Sequence, residues 1–299
     1  MNLRPLHEND LEAVLAMWNR SVRFDRMSPE LLEEKIFGDL DYDPELALAA
    51  GQEKNLVGMI AGVVRGKGDD VLGFIKLLAV EKNSRRRGIG TKLLQELEQR
   101  LARLRVKTIR VFDSAPNYLI PGIDPRDTET LVFFEHHGYE RFSETANMEV
   151  DLLACNFNTD EEEARLRAQG FEIRRAIMGD KDDLITFLQQ HWAAWIPEAE
   201  RALLNYPISL HLALSHDRVV AFSAYDGNNV NTGWFGPMGT DPSLRGAGLG
   251  TVLLKRCLAD LQAQNHRLAI IPWVGPYRFY LRHAGATISR VFWRYQKSL

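Results

Sequence analysis

Residues 85–94 read RRRGIGTKLL and residues 245–254 read RGAGLGTVLL. Laid over one another at one constant offset, Arg85 meets Arg245, Gly88 meets Gly248 and Gly90 meets Gly250. Thr91, Leu93 and Leu94 then meet Thr251, Leu253 and Leu254. The correspondence extends upstream, where LLAVEKNS (77–84) faces PMGTDPSL (237–244). It returns more loosely at LRPLHENDLEAVLAMW (3–18) and IRRAIMGDKDDLITFLQQHW (173–192), each a short strand-like run followed by an acidic helix start. A repeat of this length reads as two copies of one domain.

The spacing around each loop predicts its setting. Leu93, Leu94, Leu97, Leu101 and Leu104 follow the first, and Leu253, Leu254, Cys257, Leu258 and Leu261 follow the second. Both sets recur at helical spacing, so each loop opens an amphipathic helix. Before the loops lie the strand-like runs VLGFIKLLAV (71–80) and GWFGPMGT (233–240). The predicted domains are 1–155 and 171–299. Between them, residues 156–170 are expected to form a linker helix, capped by Thr159 or Asp160, with glutamates in its first turn and Gly170 at its end.

Three adjacent arginines admit three readings: a solvated charge run, a nucleic-acid patch, or a site for a phosphorylated ligand. The chain has 299 residues and a net charge of -3, with 45% hydrophobic and 26% charged residues. That balance, with no basic face interleaved with aromatics, argues against nucleic acid. A helix N-terminus offers unpaired N–H groups and partial positive charge. Glycines let an anion come close to the backbone, and arginines add charge-assisted hydrogen bonds. Two copies of this arrangement favour the phosphorylated ligand. Neither loop has the Gly-Lys-Ser/Thr of a nucleotide-binding P-loop. In place of the third glycine of a dinucleotide fingerprint stand Leu93 and Leu253.

Arg85-x-x-Gly88-x-Gly90 and Arg245-x-x-Gly248-x-Gly250, each between a strand and an amphipathic helix, resemble the pyrophosphate-binding motif of the GNAT N-acetyltransferases. The resemblance covers most of both halves and implies an α/β (α+β, mixed-sheet) fold of two tandem acyl-CoA N-acyltransferase domains, each sheet splayed around acetyl-CoA as co-substrate. It implies that pyrophosphate rests on Arg86, Arg87, Gly88, Ile89, Gly90 and Thr91, or on Gly246, Ala247, Gly248, Leu249, Gly250 and Thr251, beside Arg85 or Arg245. Leu78 and Val80, or Met238 and Thr240, would hydrogen-bond the pantetheine and thioester.

It further implies direct transfer of an acetyl group to a primary amine, with a tyrosine as acid to the leaving thiolate. Tyr280 in YRFYLRHAGA (277–286) fits that role, and Phe134 stands in its place in LVFFEHHGYE (131–140). The second half is therefore the expected catalytic half, and the first is expected to be impaired or to use another donor. The alternative function is a non-catalytic acyl-CoA-binding or sensing protein.

Asp113 and Glu81, or Asp241 and His266, are candidate bases, with acidic residues at strand ends expected to be solvated. His136, His137 and His283 read as surface residues, and no spacing of His, Asp or Glu indicates a metal. Trp273 and Tyr277, the loop 117–130, and Trp192 with Trp195 are candidate walls of an acceptor pocket. Cys155 and Cys257, far apart and outside any CxxC pattern, read as reduced thiols. With no signal-like start and no apolar run long enough to cross a bilayer, the expected location is the cytoplasm. The expected partner is a small-molecule amine, and the chain is expected to be a monomer (a pseudo-dimer of its halves) or a homodimer.

Overall fold

The computed structural model describes residues 3–52, 55–66 and 71–299. The chain forms two compact units, and the first is not one contiguous run. Unit 1 joins Met1–Thr145 to Val291–Leu299, and unit 2 is Ala146–Arg290. This departs from the expected division at 155 and 171. The cause is that the last strand of each half crosses from one unit into the other.

Unit 1 carries β1 (Leu3–Pro5), α1 (Leu11–Ser21), α2 (Pro29–Lys35), β2 (Ala47–Gln52), β3 (Asn55–Arg65), β4 (Leu72–Val80), α3 (Ile89–Arg103), β5 (Thr108–Val111) and α4 (Thr128–His136). β6 (Glu140–Asp151) then runs into unit 2. There follow α5 (Asp160–Ala168), β7 (Phe171–Arg175), α6 (Lys181–His191), α7 (Ile196–Leu203), β8 (Leu210–Ser215), β9 (Arg218–Tyr225), β10 (Phe235–Thr240), α8 (Leu249–Ala263), β11 (Leu268–Ile271) and α9 (Tyr277–Ala284). β12 (Thr287–Ser298) carries the chain back to unit 1.

In unit 1, β1 to β4 are antiparallel neighbours in order, β4 pairs parallel with β5, and β5 pairs antiparallel with the last residues of β12. In unit 2, β7 to β10 form an antiparallel sheet and β11 pairs with the end of β6. The duplication extends to single contacts. Arg4 grips Asp10 through two hydrogen bonds of 2.6 Å, and Arg174 grips Asp180 through two of 2.7 Å. In both cases the carboxylate also accepts the N–H three residues earlier, from His7 or Ile177, closing the turn before the first long helix.

The leucine stripes behave as their spacing predicts. Leu93, Leu94, Leu97 and Leu101 are buried against β2, β3 and β4. Leu253, Leu254, Cys257, Leu258 and Leu261 are buried on α8. Leu104 falls past the end of α3 and is exposed. The expected linker helix is instead an integral part of unit 2. α5 sends Leu166 into a core with Leu249, Val252 and Leu253, and Lys255 and Arg256 of α8 pair with Glu162 and Glu163.

Candidate functional site

Each unit contains an open strand edge, and the same device makes it. β4 pairs with β5 from Leu72 to Ile75 and no further. At that point Lys76 is an extra residue against β3, since Ala61 faces Leu77 and Gly62 faces Ile75. Such a bulge bends the strand and resets which way its peptide groups point. Beyond it, the Glu81 N–H donates to Val57 O at 2.9 Å. Alternation along the strand therefore turns the Leu78 and Val80 peptide groups to the edge that β5 has left.

Unit 2 repeats this arrangement. A bulge lies between Phe235 and Met238, Asp241 N–H donates to Val220 O at 2.9 Å, and Met238 and Thr240 face the open edge. β11 meets this side of the sheet through the single bridge of Trp234 with Ile270.

The loops stand at the mouths of these gaps. Gly88 and Gly248 are the residues before α3 and α8, with φ of 78° and 102°. That left-handed conformation favours glycine. No atom lies within 4 Å of where a Cβ on Gly88 would stand. The strand ends touch the helix starts: a Cβ on Gly90 would lie 3.5 Å from Val80, and one on Gly250 would lie 3.4 Å from Thr240 Oγ1. Ile89 and Leu249 are buried and seat the first helical turn. Free N–H groups, partial positive charge and an adjoining open strand edge suit a long ligand with a pyrophosphate at one end.

The arginines divide. Arg85 does not reach outward: it donates to Val80 O at 3.2 Å and Ser21 O at 2.6 Å and pairs with Glu129. Its side chain ties the loop to α1 and α4, contrary to the expectation of an anion contact. Arg86, Arg87 and Arg245 are exposed. Thr91 donates to His137 Nε2 at 3.1 Å, while His137 Nδ1–H donates to Phe133 O at 2.7 Å. His137 is thus a brace behind the loop, not the surface residue its position implied.

Tyr280 and Phe134 hold matching places. Phe279 lies near Gly250 and Phe133 lies near Gly90, each on the preceding residue of its helix. Tyr280 then packs edge-on to Phe235 with ring centres 6.1 Å apart, in a core with Met148, Val150 and Ile271. Gly285 follows Tyr280 by one residue more than Gly138 follows Phe134. Gly285 caps α9 with φ 63°, so the extra residue is absorbed at the helix end. Tyr280 is 8% exposed, and burial pushes its hydroxyl up to about 12.

The candidate bases separate in the same way. Asp113 is buried rather than solvated. Arg294 donates to its Oδ2 at 2.8 Å, its Oδ1 has no partner, and burial raises its pKa against the pull of that arginine. Glu81 pairs with Arg20 at 3.4 Å on the surface. Asp241 accepts from the Ser243 N–H at 2.8 Å and its hydroxyl at 2.7 Å, which holds its carboxyl below the usual range. His266 stands beside Gly233, ahead of β10 and so at the closed end of the strands.

The acceptor-wall candidates also resolve. The loop 117–130 is packed in place by Tyr118, Leu119 and Ile123, with Asn117 bound to Lys35 at 2.7 Å. Trp192 and Trp195 stack 5.2 Å apart, and Trp192 lies so close to Gly239 that any side chain there would overlap the indole.

One cluster gives no sign in the sequence. The bulge residue Lys76 is buried and paired with Asp39, which also accepts two hydrogen bonds of 2.7 Å from Arg65. Burial pulls Lys76 down to about 7 against the attraction of Asp39. Asp39 is pushed up by burial, but Arg65 and Lys76 outweigh this and hold it at about 2. Among the described residues, no group of His, Cys, Asp and Glu could hold a metal ion.

This geometry agrees with the comparisons. The family model described as acetyltransferase (GNAT) matches the chain twice, over 11–118 and 178–285. The chain belongs to the GNAT acetyltransferase family, with two such domains in tandem. It is 32% identical over 102 residues to an acetyltransferase of Photorhabdus laumondii, covering 34% of this chain and 66% of the relative. It is 36% identical over 102 residues to an acetyltransferase of Pectobacterium atrosepticum, covering 34% and 67%. The chain thus spans about two thirds of the length of these curated relatives.

Among solved structures, the fold is similar to the glucosamine N-acetyltransferase region of a fungal multi-domain GH3 β-N-acetylglucosaminidase. The TM-score is 0.81 at 17% identity, over 99% of this chain and 38% of that one. A GCN5-related N-acetyltransferase of Sphaerobacter thermophilus matches at TM-score 0.70 and 18% identity, over 99% and 95%. A tandem GNAT protein from the clavulanic acid biosynthesis pathway matches at 0.69 and 13%, over 99% and 98%.

Proposed function

We propose that the protein is an acetyl-CoA-dependent N-acetyltransferase acting on a primary amine of a small molecule by direct attack, with unit 2 as the catalytic half. The observation that carries this is Tyr280, an almost wholly buried phenol on α9 whose neighbour Phe279 packs at the start of the loop helix. Acetyl-CoA supplies the acyl group as a thioester. Within Gly246 to Thr251 the N–H groups of Gly248, Leu249 and Gly250 receive its pyrophosphate, with Arg245 alongside, while those of Ala247 and Thr251 donate to Leu244 O and Gly248 O. Met238 and Thr240 hydrogen-bond its pantetheine arm, and a strand N–H holds the carbonyl oxygen as negative charge develops there. The amine nitrogen forms the new C–N bond and releases its proton to water. As the C–S bond breaks, Tyr280 gives its hydroxyl proton to the sulfur and then takes one back from water, which has received the amine's.

Unit 1 presents the same loop, Arg86 to Thr91, and the same edge at Leu78 and Val80, but Phe134 has no proton to give. For this unit a second reading is favoured, in which it binds acyl-CoA without transfer. Cys155 and Cys257 are both free thiols, in keeping with a cytoplasmic enzyme. No described helix is long and apolar enough to cross a membrane.

The test is CoA release from acetyl-CoA across amino sugars, polyamines and amino acids. Glucosamine is included because a similar fold is described as a glucosamine N-acetyltransferase. Expected is turnover with one amine class and an N-acetyl product by mass spectrometry. Tyr280→Phe should lower kcat about 100-fold with little change in KM for acetyl-CoA. Because Tyr280 keeps its proton up to about 12, the rate should rise as the amine deprotonates, with no fall from Tyr280 below pH 10 or so. An unchanged kcat in Tyr280→Phe would remove the acid from this residue.

A further inference from the structure

We propose that Arg165, on α5, is a pyrophosphate-binding residue of the second loop. The inference rests on the reading of that loop as a CoA site and adds a residue outside the motif. The motif copies are unequal in charge: RRRGIG carries three arginines and RGAGLG carries one. The structure evens them. In unit 1, Arg85 is engaged by Ser21 O, Val80 O and Glu129, which leaves Arg86 and Arg87 exposed beside the glycines. In unit 2, Arg245 is exposed, and the guanidinium of Arg165 lies against Gly248, 3.0 Å from where a Cβ would stand. Each loop therefore faces solvent with two cationic side chains, and in unit 2 the second comes from another helix.

Arg165 is held in this place by its neighbours rather than by a partner of its own. Leu166, the next residue, is fully buried with Leu249, Val252 and Leu253 at the start of α8. Glu162 and Glu163 of α5 pair with Lys255 and Arg256 of α8. These contacts fix α5 along the first turns of α8. Arg165 itself is exposed, and it is attracted to Glu162 one turn before it on α5, whose carboxylate is paired with Lys255. A guanidinium carried to helix N–H groups by a fixed backbone can add two charge-assisted hydrogen bonds to a diphosphate, in the geometry arginine favours.

The test is titration calorimetry of the full chain carrying Gly88→Glu, so that the second loop is read alone. The ligands are acetyl-CoA and 3′-dephospho-CoA. Arg165→Ala should weaken acetyl-CoA binding about tenfold. Arg165→Glu should weaken it further, and Arg165→Lys should recover part of the loss. The Tm of Arg165→Ala and Arg165→Lys should stay close to the parent's, since the side chain is exposed and its attraction to Glu162 is a weak surface one, and Arg165→Glu should lose little more. The tenfold loss should persist with 3′-dephospho-CoA, because the pyrophosphate remains.

Two results overturn the proposal: affinities of Arg165→Ala and Arg165→Glu within twofold of the parent, or a loss seen with acetyl-CoA that vanishes with 3′-dephospho-CoA. Gly248→Glu separates the proposal from the reading beneath it. If Gly248→Glu abolishes binding while the Arg165 variants do nothing, the loop binds CoA and Arg165 has no part. If Gly248→Glu also binds as the parent does, the second loop is not the CoA site and both fall.

Discussion

Phe134 and Tyr280 occupy the same place on α4 and α9, so a hydroxyl is what distinguishes the two units at that point. Arg86 and Gly246 make a second such pair. Both have positive φ, 63° and 91°, so the loop needs the left-handed conformation there in either unit. For an arginine that conformation costs about 1 kcal/mol or more. Arg86→Gly should therefore stabilise unit 1 by up to about 1 kcal/mol while weakening any anion binding at the first loop. Urea denaturation and acetyl-CoA calorimetry on the same variant would read the two effects in opposite directions. An arginine retained at a strained position is in keeping with a function for its charge.

At the scale of the element, the bulge in β4 sets both the open edge and the place of Lys76. A charged lysine is stable inside the fold only with Asp39 beside it. Asp39→Asn should leave Lys76 without its carboxylate and beside Arg65, which keeps only its pair with the more exposed Asp41, at a cost of about 3–5 kcal/mol.

The pH dependence follows by sign. In the wild type the Asp39 carboxyl titrates at about 2, below the ordinary 3.8. Its contribution to stability is full above pH 4 or so and is lost as pH falls toward 2. Lys76 titrates at about 7, below the ordinary 10.5, so the unfolded chain binds more protons there and stability rises with pH through that window. In Asp39→Asn the acid loss should vanish and the rise should steepen across neutral pH. Thermal melts at pH 3, 5, 7 and 9 would measure both.

For the whole molecule, the strands exchanged between the halves govern which pieces can stand alone. Unit 1 depends on Tyr295, 1% exposed in its core and donating to Glu135 at 2.7 Å, and on the pairing of Gln296–Ser298 with β5. Ending the chain at Arg290 should cost unit 1 at least about 2–3 kcal/mol from the lost ring alone and leave β5 a bare edge. Limited proteolysis should then cut within 1–145 at temperatures the full chain resists. Equally, residues 171–299 alone lack Met148 and Val150, which pack in the core with Tyr280, and the α5 segment beside Gly248. That piece should not bind acetyl-CoA.

The sequence alone determined the duplication, the strand–loop–helix unit, the buried leucine stripes and the family. These features follow from local rules: a period of 3.6, left-handed glycines, and residue spacing within a dozen positions. It also marked Tyr280 and Phe134 as matching positions, because each follows a phenylalanine and stands four or five residues before a glycine. Only the tertiary structure decided which arginines stay exposed at the loop and which brace it, since Ser21 and Glu129 lie far from Arg85 along the chain. It alone brought Arg165 to Gly248, buried Asp113 and Lys76, tied His137 to Thr91, made the expected linker helix part of unit 2, and ran β6 and β12 across the boundary between the units. Each of these depends on contacts between residues distant in sequence, and their pairing leaves no periodic trace in either partner.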